Sequence, residues 1–421
     1  MRQVSIGLLG FGCVGRAVAR ACARGRDRLR ARGLDVTVTD ALVRDATRLR
    51  ALEAPAPALV DDPEAFFHRR HDVIVEVLGG VEPAATLVIQ ALARGTPVVT
   101  ANKSLVAAQG HELRRLAARF GTSLRFEACV LAGVPFIGSL ARRPLVASFS
   151  RLSAVLNGTS NFIVTAMARE RTPFAEALRR AQDLGLAEPD PSNDIGGIDA
   201  AEKLALLVAY LAARTLAPGA IETIGIDELE PADLEQAHAF GGAIRPVAHA
   251  WLDGDVTEAF VGPAFVAGSH PLAGVEGRLN GIRLDGPFVD DLFFSGPGAG
   301  PDVTAATLVD DAVEAVSEPA DGSNVGPWPV LPRQTVCRAP VTPWFLRVRF
   351  PRGAPDEVSL GDQLGAHGVR LRRQSSLTGD EPHRSLRALT DACPREHVQR
   401  ALAAVCEATG GRSFAWRVLE P

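Results

Sequence analysis

The chain has 421 residues, 47% hydrophobic and 22% charged, which is the composition of a soluble globular protein of two or three domains. With 45 Lys+Arg against 49 Asp+Glu and a formal net charge of -4, it lacks the basic footprint that nucleic acid or an anionic membrane requires. Small molecules are the expected partners.

From residue 4 to about 130, short apolar runs alternate with helical patterns. The runs are VSIGLL, VTVTDALV, DVIVEVL, PVVTAN and SLRFEACV, with helices expected from Gly15 to about Arg32, in PAATLVIQALARG and in SLVAAQGHELRRLAARFG. Strands separated by helices predict an α/β fold with a doubly wound parallel sheet, of the Rossmann type. Residues 1–135 are read as a dinucleotide-binding domain, completed by about 296–317. From 136 to 295 longer helices (Asn161 to Leu184, Asp199 to Ala213) and strands in EAFVGPAFV and GIRLDGPFV predict an α+β substrate and dimerisation domain. The Pro- and Gly-rich stretch 318–342 reads as a linker. Residues 343–421 then give strand, helix, strand, strand, helix, strand, the βαββαβ order of a ferredoxin-like domain.

The six cysteines (Cys13, Cys22, Cys129, Cys337, Cys393, Cys406) are scattered, without a C-x-x-C pair, and fit a reducing cytoplasm. The N-terminus runs straight into a strand and glycine loop, unlike a signal peptide. No uncharged apolar run reaches the roughly 18 residues that span a bilayer.

Gly10-Phe11-Gly12-Cys13-Val14-Gly15 is a G-x-G-x-x-G between strand and helix. The first glycine permits a tight turn, the second admits a pyrophosphate, and the third lets helix meet sheet. At the tip of the second strand, Arg44 is placed to meet the 2'-phosphate of NADP or to stand as a solvated arginine, with Asp45 beside it and Arg48 nearby; this favours NADP slightly over NAD. Lys103 follows Thr100-Ala101-Asn102 at the carboxyl edge of the sheet, where open α/β proteins hold ligands. The segment 185–203 carries Glu188, Asp190, Asp194 and Asp199 between two helices, and Asp199 and Lys203 stand at i and i+4 on one face. A lysine oriented by a carboxylate suits proton transfer coupled to hydride transfer, whereas a surface ion pair is the alternative.

Assembled, these residues resemble the homoserine dehydrogenases from residue 1 to about 315. The motifs are GFGCVG, EVLGGVEPA (76–84), VVTANK (98–103), FEACVLAGVPFI (126–137), LNGTSNFI (156–163), GLAEPDPSNDIGGIDAAEK (185–203), SHPLAGVEGRLNGI (269–282) and GPGAGPDVTAAT (296–307). The resemblance implies NAD(P)-linked interconversion of L-homoserine and L-aspartate 4-semialdehyde, towards threonine and methionine. It implies Lys203 as proton donor and acceptor held by Asp199, Glu188 as ligand of the substrate's amino group, and Asp194 in the same acidic loop. Lys103 would contact substrate and nicotinamide and share the proton work. Gly158 and Thr159 would line the substrate pocket, while Gly79, Thr100 and the turn at Gly296, Gly298 and Gly300 would serve the cofactor. A monovalent cation, taken as sodium, would sit on Glu127 and the carbonyls of Val130, Ala132 and Val134; a single carboxylate also reads as a buried hydrogen-bonding acid. A homodimer or homotetramer is implied.

Residues 343–421 resemble an ACT regulatory domain, but PRGAPDEVSLGDQL stands where a D-x-P-G-V-L-A effector loop would be. Threonine feedback and dimer packing are therefore alternatives for it. Two other functions compete with this one. Aspartate-semialdehyde dehydrogenase needs a cysteine nucleophile, and Cys129 lies in EACVLAG, outside that enzyme's motif. A catalytically silent NAD(P)-binding sensor is opposed by the joint presence of Lys103, Glu188, Asp199 and Lys203.

Overall fold

The structure is a computed structural model that describes residues 1–47, 56–141, 143, 148–212, 214–253, 256–317, 333–334, 336–337, 341–351, 360–376 and 384–420. Arg48 and most of the expected linker, 318–332 with 335 and 338–340, lie outside the described residues. Two compact units are present: Met1–Ser148 with Ala205–Thr215 and Gly296–Arg333, and Phe149–Leu204 with Leu216–Ser295 and Gln334–Pro421.

The first unit is built on β1 (Arg2–Leu9), β2 (Leu34–Leu42), β3 (Ala58–Val60), β4 (Val73–Glu76), β5 (Val98–Thr100) and β6 (Leu124–Arg125). All are parallel, in the order β3-β2-β1-β4-β5-β6. Both faces are apolar because successive side chains alternate. Val73, Val75 and Val99 pack with Ala17, Val18, Leu308 and Ala312, and Ile74 and Val98 pack with Leu87, Val88, Leu92, Leu105 and Leu113. The helices Cys13–Arg24 and Pro301–Ser317 therefore cover one face, and Ala84–Ala93 and Lys103–Arg119 the other.

Three details differ from the sequence expectation. The helix expected to reach Arg32 breaks at Gly25 into Cys13–Arg24 and Arg26–Ala31, since glycine loses the most backbone freedom in a helix. Strand β3 was not expected, being only three residues long. SLRFEACV supplies just Leu124–Arg125 before a 3-10 turn at Glu127–Cys129.

The second unit is organised around one mixed sheet. Its path runs Val289–Pro297, Leu279–Gly286, Arg151–Val155, Gly242–Asp253, Val256–Ala267, Arg412–Leu419, Trp344–Phe350, Arg384–Thr390, Leu371–Gln374. The last four strands, with helices Leu360–Gly365 and Arg395–Thr409, form the ferredoxin-like βαββαβ order, each antiparallel to its neighbour. They do not stand as an isolated sheet. Ala264, Phe265 and Val266 pair in parallel with Arg417, Val418 and Leu419, so the C-terminal strands extend the sheet of the preceding segment. Within the stretch read as a linker, Val336–Cys337 is a short strand pairing in parallel with Val256 and Thr257. The helix expected from Asn161 to Leu184 is two helices, Gly158–Glu170 and Phe174–Asp183. Arg171 takes a left-handed conformation at φ 56, and Pro173 disfavours helical geometry in the residue before it.

Candidate active site

In the first unit the glycine loop divides its work as its spacing implies. Gly10 has φ +103, a side chain on Gly15 would come within 2.5 Å of the Gly10 carbonyl, and the space over Gly12 is open. Helix Cys13–Arg24 begins at Gly12 without a side-chain cap and with no acid in its first turn. Its free N–H groups and dipole can therefore receive an anion, and these residues fit a dinucleotide pyrophosphate. Phe11 is buried in the core, so its side chain does not face that opening. Arg44 is exposed just past the end of β2, while Asp45 accepts from Thr47 Oγ1 at 2.6 Å and Thr47 N at 2.8 Å.

A second cluster lies at the carboxyl ends of β4 and β5. Glu76, fully buried, accepts from Leu78 N (2.7 Å), Thr100 Oγ1 (2.5 Å) and Asn102 Nδ2 (3.3 Å). Asn102 also donates to the Gly80 carbonyl at 2.6 Å and accepts from Leu105 N at 3.1 Å, capping the helix that Lys103 begins. Thr100 thus turns its hydroxyl inward, donating to Glu76 and accepting from Asn102 N at 2.9 Å. Gly79 and Gly80, at φ +77 and +72, form the exposed loop that this network holds. Gly298 gives its carbonyl to Ala132 N at 3.2 Å, and a side chain on Gly133 would lie 2.5 Å from the Pro297 carbonyl. The GPGAG turn therefore backs onto the 132–134 turn.

At the expected cation site, Glu127 and two of the three carbonyls accept hydrogen bonds from within the fold. Glu127 accepts from the N–H groups of Phe136, Ile137 and Gly138 at 3.0, 2.9 and 2.7 Å. The Val134 carbonyl accepts from Phe136 N, and that of Ala132 from the Thr307 hydroxyl. So held, Glu127 serves as a buried hydrogen-bonding acid, its carboxyl raised by burial despite the three donors. Among the described residues no group of three His, Cys, Asp or Glu is arranged to hold a metal. Cys129 is buried, its thiol raised by desolvation, and it donates to the Thr100 carbonyl. That environment makes an inert cysteine, not a nucleophile.

In the second unit, the residues 156–161 act as a hub. Lys203 Nζ lies 2.9 Å from Asp199 Oδ2 and donates to the Leu156 carbonyl at 3.0 Å, with its side chain 14% exposed. Asn157 caps helix Gly158–Glu170 by accepting from Ser160 N at 2.8 Å, and donates to Asp194 Oδ1 (2.7 Å) and Asp199 Oδ2 (3.0 Å). Thr159 Oγ1 donates to the Leu186 carbonyl at 2.8 Å, and Ser160 Oγ to that of Asp194 at 2.7 Å. Asn161 reaches the carbonyls of Val275 and Leu279, both at 3.1 Å. Gly158 lies so near Arg278 that a Cβ would come within 3.1 Å of its carbonyl.

Asp199 and Lys203 are thus brought together as their i, i+4 spacing implied, and Asn157 joins Asp194 to them. Glu188 is exposed on the loop that Thr159 holds, its own carbonyl accepting from Gln182. Gly197, at φ +79, has Thr223 and Val261 about where a side chain would go, and a Cβ on Gly196 would come within 2.7 Å of the Ser192 carbonyl, which explains the glycine pair before Asp199.

Two residues escaped the sequence reading. Asn157 carried a legible signal, an asparagine directly before a helix. Glu76 was a lone carboxylate in an otherwise apolar strand, a position that burial makes costly unless it is fully bonded.

Residues 10–127 match the family described as homoserine dehydrogenase, NAD binding domain, and residues 135–313 the family described as homoserine dehydrogenase. The homoserine dehydrogenase of Lactococcus lactis is 34% identical over 391 residues, 90% of each chain. That of Bacillus subtilis is 34% identical over 339 residues, 78% of this chain and 77% of its own. The crystal structure of a homoserine dehydrogenase from Thiobacillus denitrificans superimposes with TM-score 0.85 at 30% identity, covering 100% of this chain and 99% of that one. A hyperthermophilic archaeal homoserine dehydrogenase in complex with NADPH superimposes with TM-score 0.62 at 29% identity over 75% of this chain and 98% of that one. The nucleotide that the first unit is built to receive is a nicotinamide dinucleotide, and the chain belongs to the homoserine dehydrogenase family.

Proposed function

We propose that this protein interconverts L-homoserine and L-aspartate 4-semialdehyde with NADP or NAD, on the route to threonine and methionine. The observation that carries this reading is the lysine at 203, held between Asp199 and the Leu156 carbonyl and largely withdrawn from water. A bound nicotinamide would supply the hydride acceptor for oxidation at the alcohol carbon and the hydride donor for the reverse reaction. Lys203, as the free amine, accepts the hydroxyl proton during oxidation; as the ammonium it gives that proton back to the carbonyl oxygen during reduction. Asp199 fixes the direction of Nζ. Glu188 and Asp194 supply negative charge for the substrate's ammonium group, and Gly158 and Thr159 shape the wall beside it. Lys103, at the carboxyl edge of the nucleotide-binding sheet, is assigned to the nicotinamide side.

Residues 1–135 with 296–317 are assigned to the nucleotide, 136–295 to substrate binding and dimerisation, and 343–421 to an ACT-like domain. Homodimeric or homotetrameric assembly and a cytoplasmic setting belong to the same reading; among the described residues no helix is long and apolar enough to cross a membrane.

The test is absorbance at 340 nm with purified protein, L-homoserine and either NADP or NAD at mildly alkaline pH, with and without threonine. Reduction of either dinucleotide is the expected result. Arg44→Ala should raise KM for NADP and leave that for NAD unchanged, because only a 2'-phosphate needs the guanidinium. Dinucleotide binding without any turnover would replace this reading with that of a sensor.

A further inference from the structure

We propose that Asn157 is a positioning residue for proton transfer: its amide clamps Asp194 and Asp199 together and so aims the carboxylate that orients Lys203. The proposal rests on the assignment of Lys203 as the proton carrier. The orientation of the amide is fixed by its surroundings, since Ser160 N must face the carbonyl oxygen. Both amide hydrogens then point at carboxylates, one at Asp194 Oδ1 and one at Asp199 Oδ2. The second is the same oxygen that Lys203 Nζ approaches at 2.9 Å.

This oxygen therefore has two donors set at an angle to each other, and the carboxylate cannot turn without losing one of them. Two acids on neighbouring helices also repel, and a neutral double donor between them offsets this without adding a proton that could be lost. The backbone of the acidic loop is held separately: Ser160 Oγ bonds the Asp194 carbonyl and Thr159 Oγ1 that of Leu186. Asn157 is thus placed to set side-chain direction and not merely to keep the loop in place.

Aspartate caps a helix as well as asparagine, and serine nearly so, which lets the capping role be separated from the donor role. Asn157→Asp keeps the acceptor for Ser160 N and replaces both donors by a third carboxylate. Asn157→Ser keeps a cap but cannot reach both acids. Both variants should bind NADP with wild-type affinity and lose at least about tenfold in kcat for homoserine oxidation, the range of a mispositioned proton carrier. In Asn157→Asp the alkaline rise of kcat should also move up by about one pH unit, because added negative charge favours the protonated lysine. In Asn157→Ser it should not move up.

Wild-type kcat and pH profile in both variants, with Lys203→Ala inactive in the same assay, would overturn the role of Asn157 alone. Full activity in Lys203→Ala would overturn the underlying assignment, and this proposal with it. A loss of kcat that is equal in the two variants, with the pH profile unmoved in Asn157→Asp, would also count against it, since a purely structural role predicts that pattern.

Discussion

Thr100 Oγ1 donates to Glu76 Oε2 at 2.5 Å, joining the last residues of two adjacent parallel strands. Through the same carboxylate the Leu78–Gly80 turn and the cap of the Lys103 helix are held. Glu76→Ala would leave these donors without an acceptor, at roughly 1–3 kcal/mol for each one left buried. The expected outcome is a clear fall in the unfolding midpoint and a raised KM for the dinucleotide, both milder in Glu76→Gln. Unfolding and initial-rate measurements on the two variants check this; a destabilised protein with an unchanged dinucleotide KM would separate the network from the cofactor.

The glycine loop makes a graded prediction. Gly15→Ala forces a Cβ to within 2.5 Å of a backbone carbonyl, so helix and turn must separate and dinucleotide affinity should fall by at least about tenfold, the equivalent of 1.4 kcal/mol. Gly12→Ala meets no protein atom within 4 Å and should leave the unfolding midpoint unchanged while still weakening dinucleotide binding. Fluorescence titration of the reduced dinucleotide, with thermal unfolding of the free proteins, distinguishes the two.

Acid sensitivity should come in part from two histidines. Burial, reinforced by Arg151 and Arg417, pushes the His249 imidazole down to about 3, and burial with Arg283 pushes His270 down to about 4. Unfolded histidine takes up a proton below about 6.5, so between that pH and the folded values the unfolded chain binds more protons and stability falls as pH falls. Glu127 and Asp311, both raised by burial, act in the opposite direction. A comparison with a non-titrating variant isolates the histidine. His249→Gln should gain stability relative to the wild type by roughly 1.4 kcal/mol for each pH unit below about 6, read from urea unfolding at pH 7, 6 and 5. A constant difference across that range would mean that His249 does not stay neutral in the fold.

The C-terminal strands are fastened by buried charge. Asp233, fully buried, receives Arg387 Nε at 2.6 Å and Arg347 Nη1 at 2.5 Å, and the Arg347 guanidinium lies over the rings of Phe414 and Trp416. Asp233→Ala leaves Arg347 and Arg387 relying on the more exposed Glu230 and should cost roughly 3 kcal/mol, the lower end for breaking a buried pair, whereas replacing all three residues by apolar ones of similar volume should be less damaging. Urea unfolding of both variants tests the contrast.

Much of this protein is legible in its sequence, for local reasons. The strand before Gly10, the three glycine roles and the i, i+4 spacing of Asp199 and Lys203 depend on neighbours in the chain. The ferredoxin-like order of the last strands was equally visible, because each element carries its own periodicity. What stayed hidden depends on distant partners. The pairing of Ala264–Val266 with Arg417–Leu419 is a tertiary choice, and so is the hydrogen bond that ties Thr100 to Glu76. Glu127 shows the same limit, since an acid facing three peptide N–H groups and an acid facing a cation have the same letter in the sequence.

Lys203 is the centre of the account, and its direct test is Lys203→Ala assayed for homoserine-dependent reduction of NADP, alongside titration of the dinucleotide. A loss of about 10²–10⁴ in kcat is expected, the usual contribution of a general acid or base, with dinucleotide affinity unchanged. A variant that binds the dinucleotide and turns over within twofold of the wild type would contradict it.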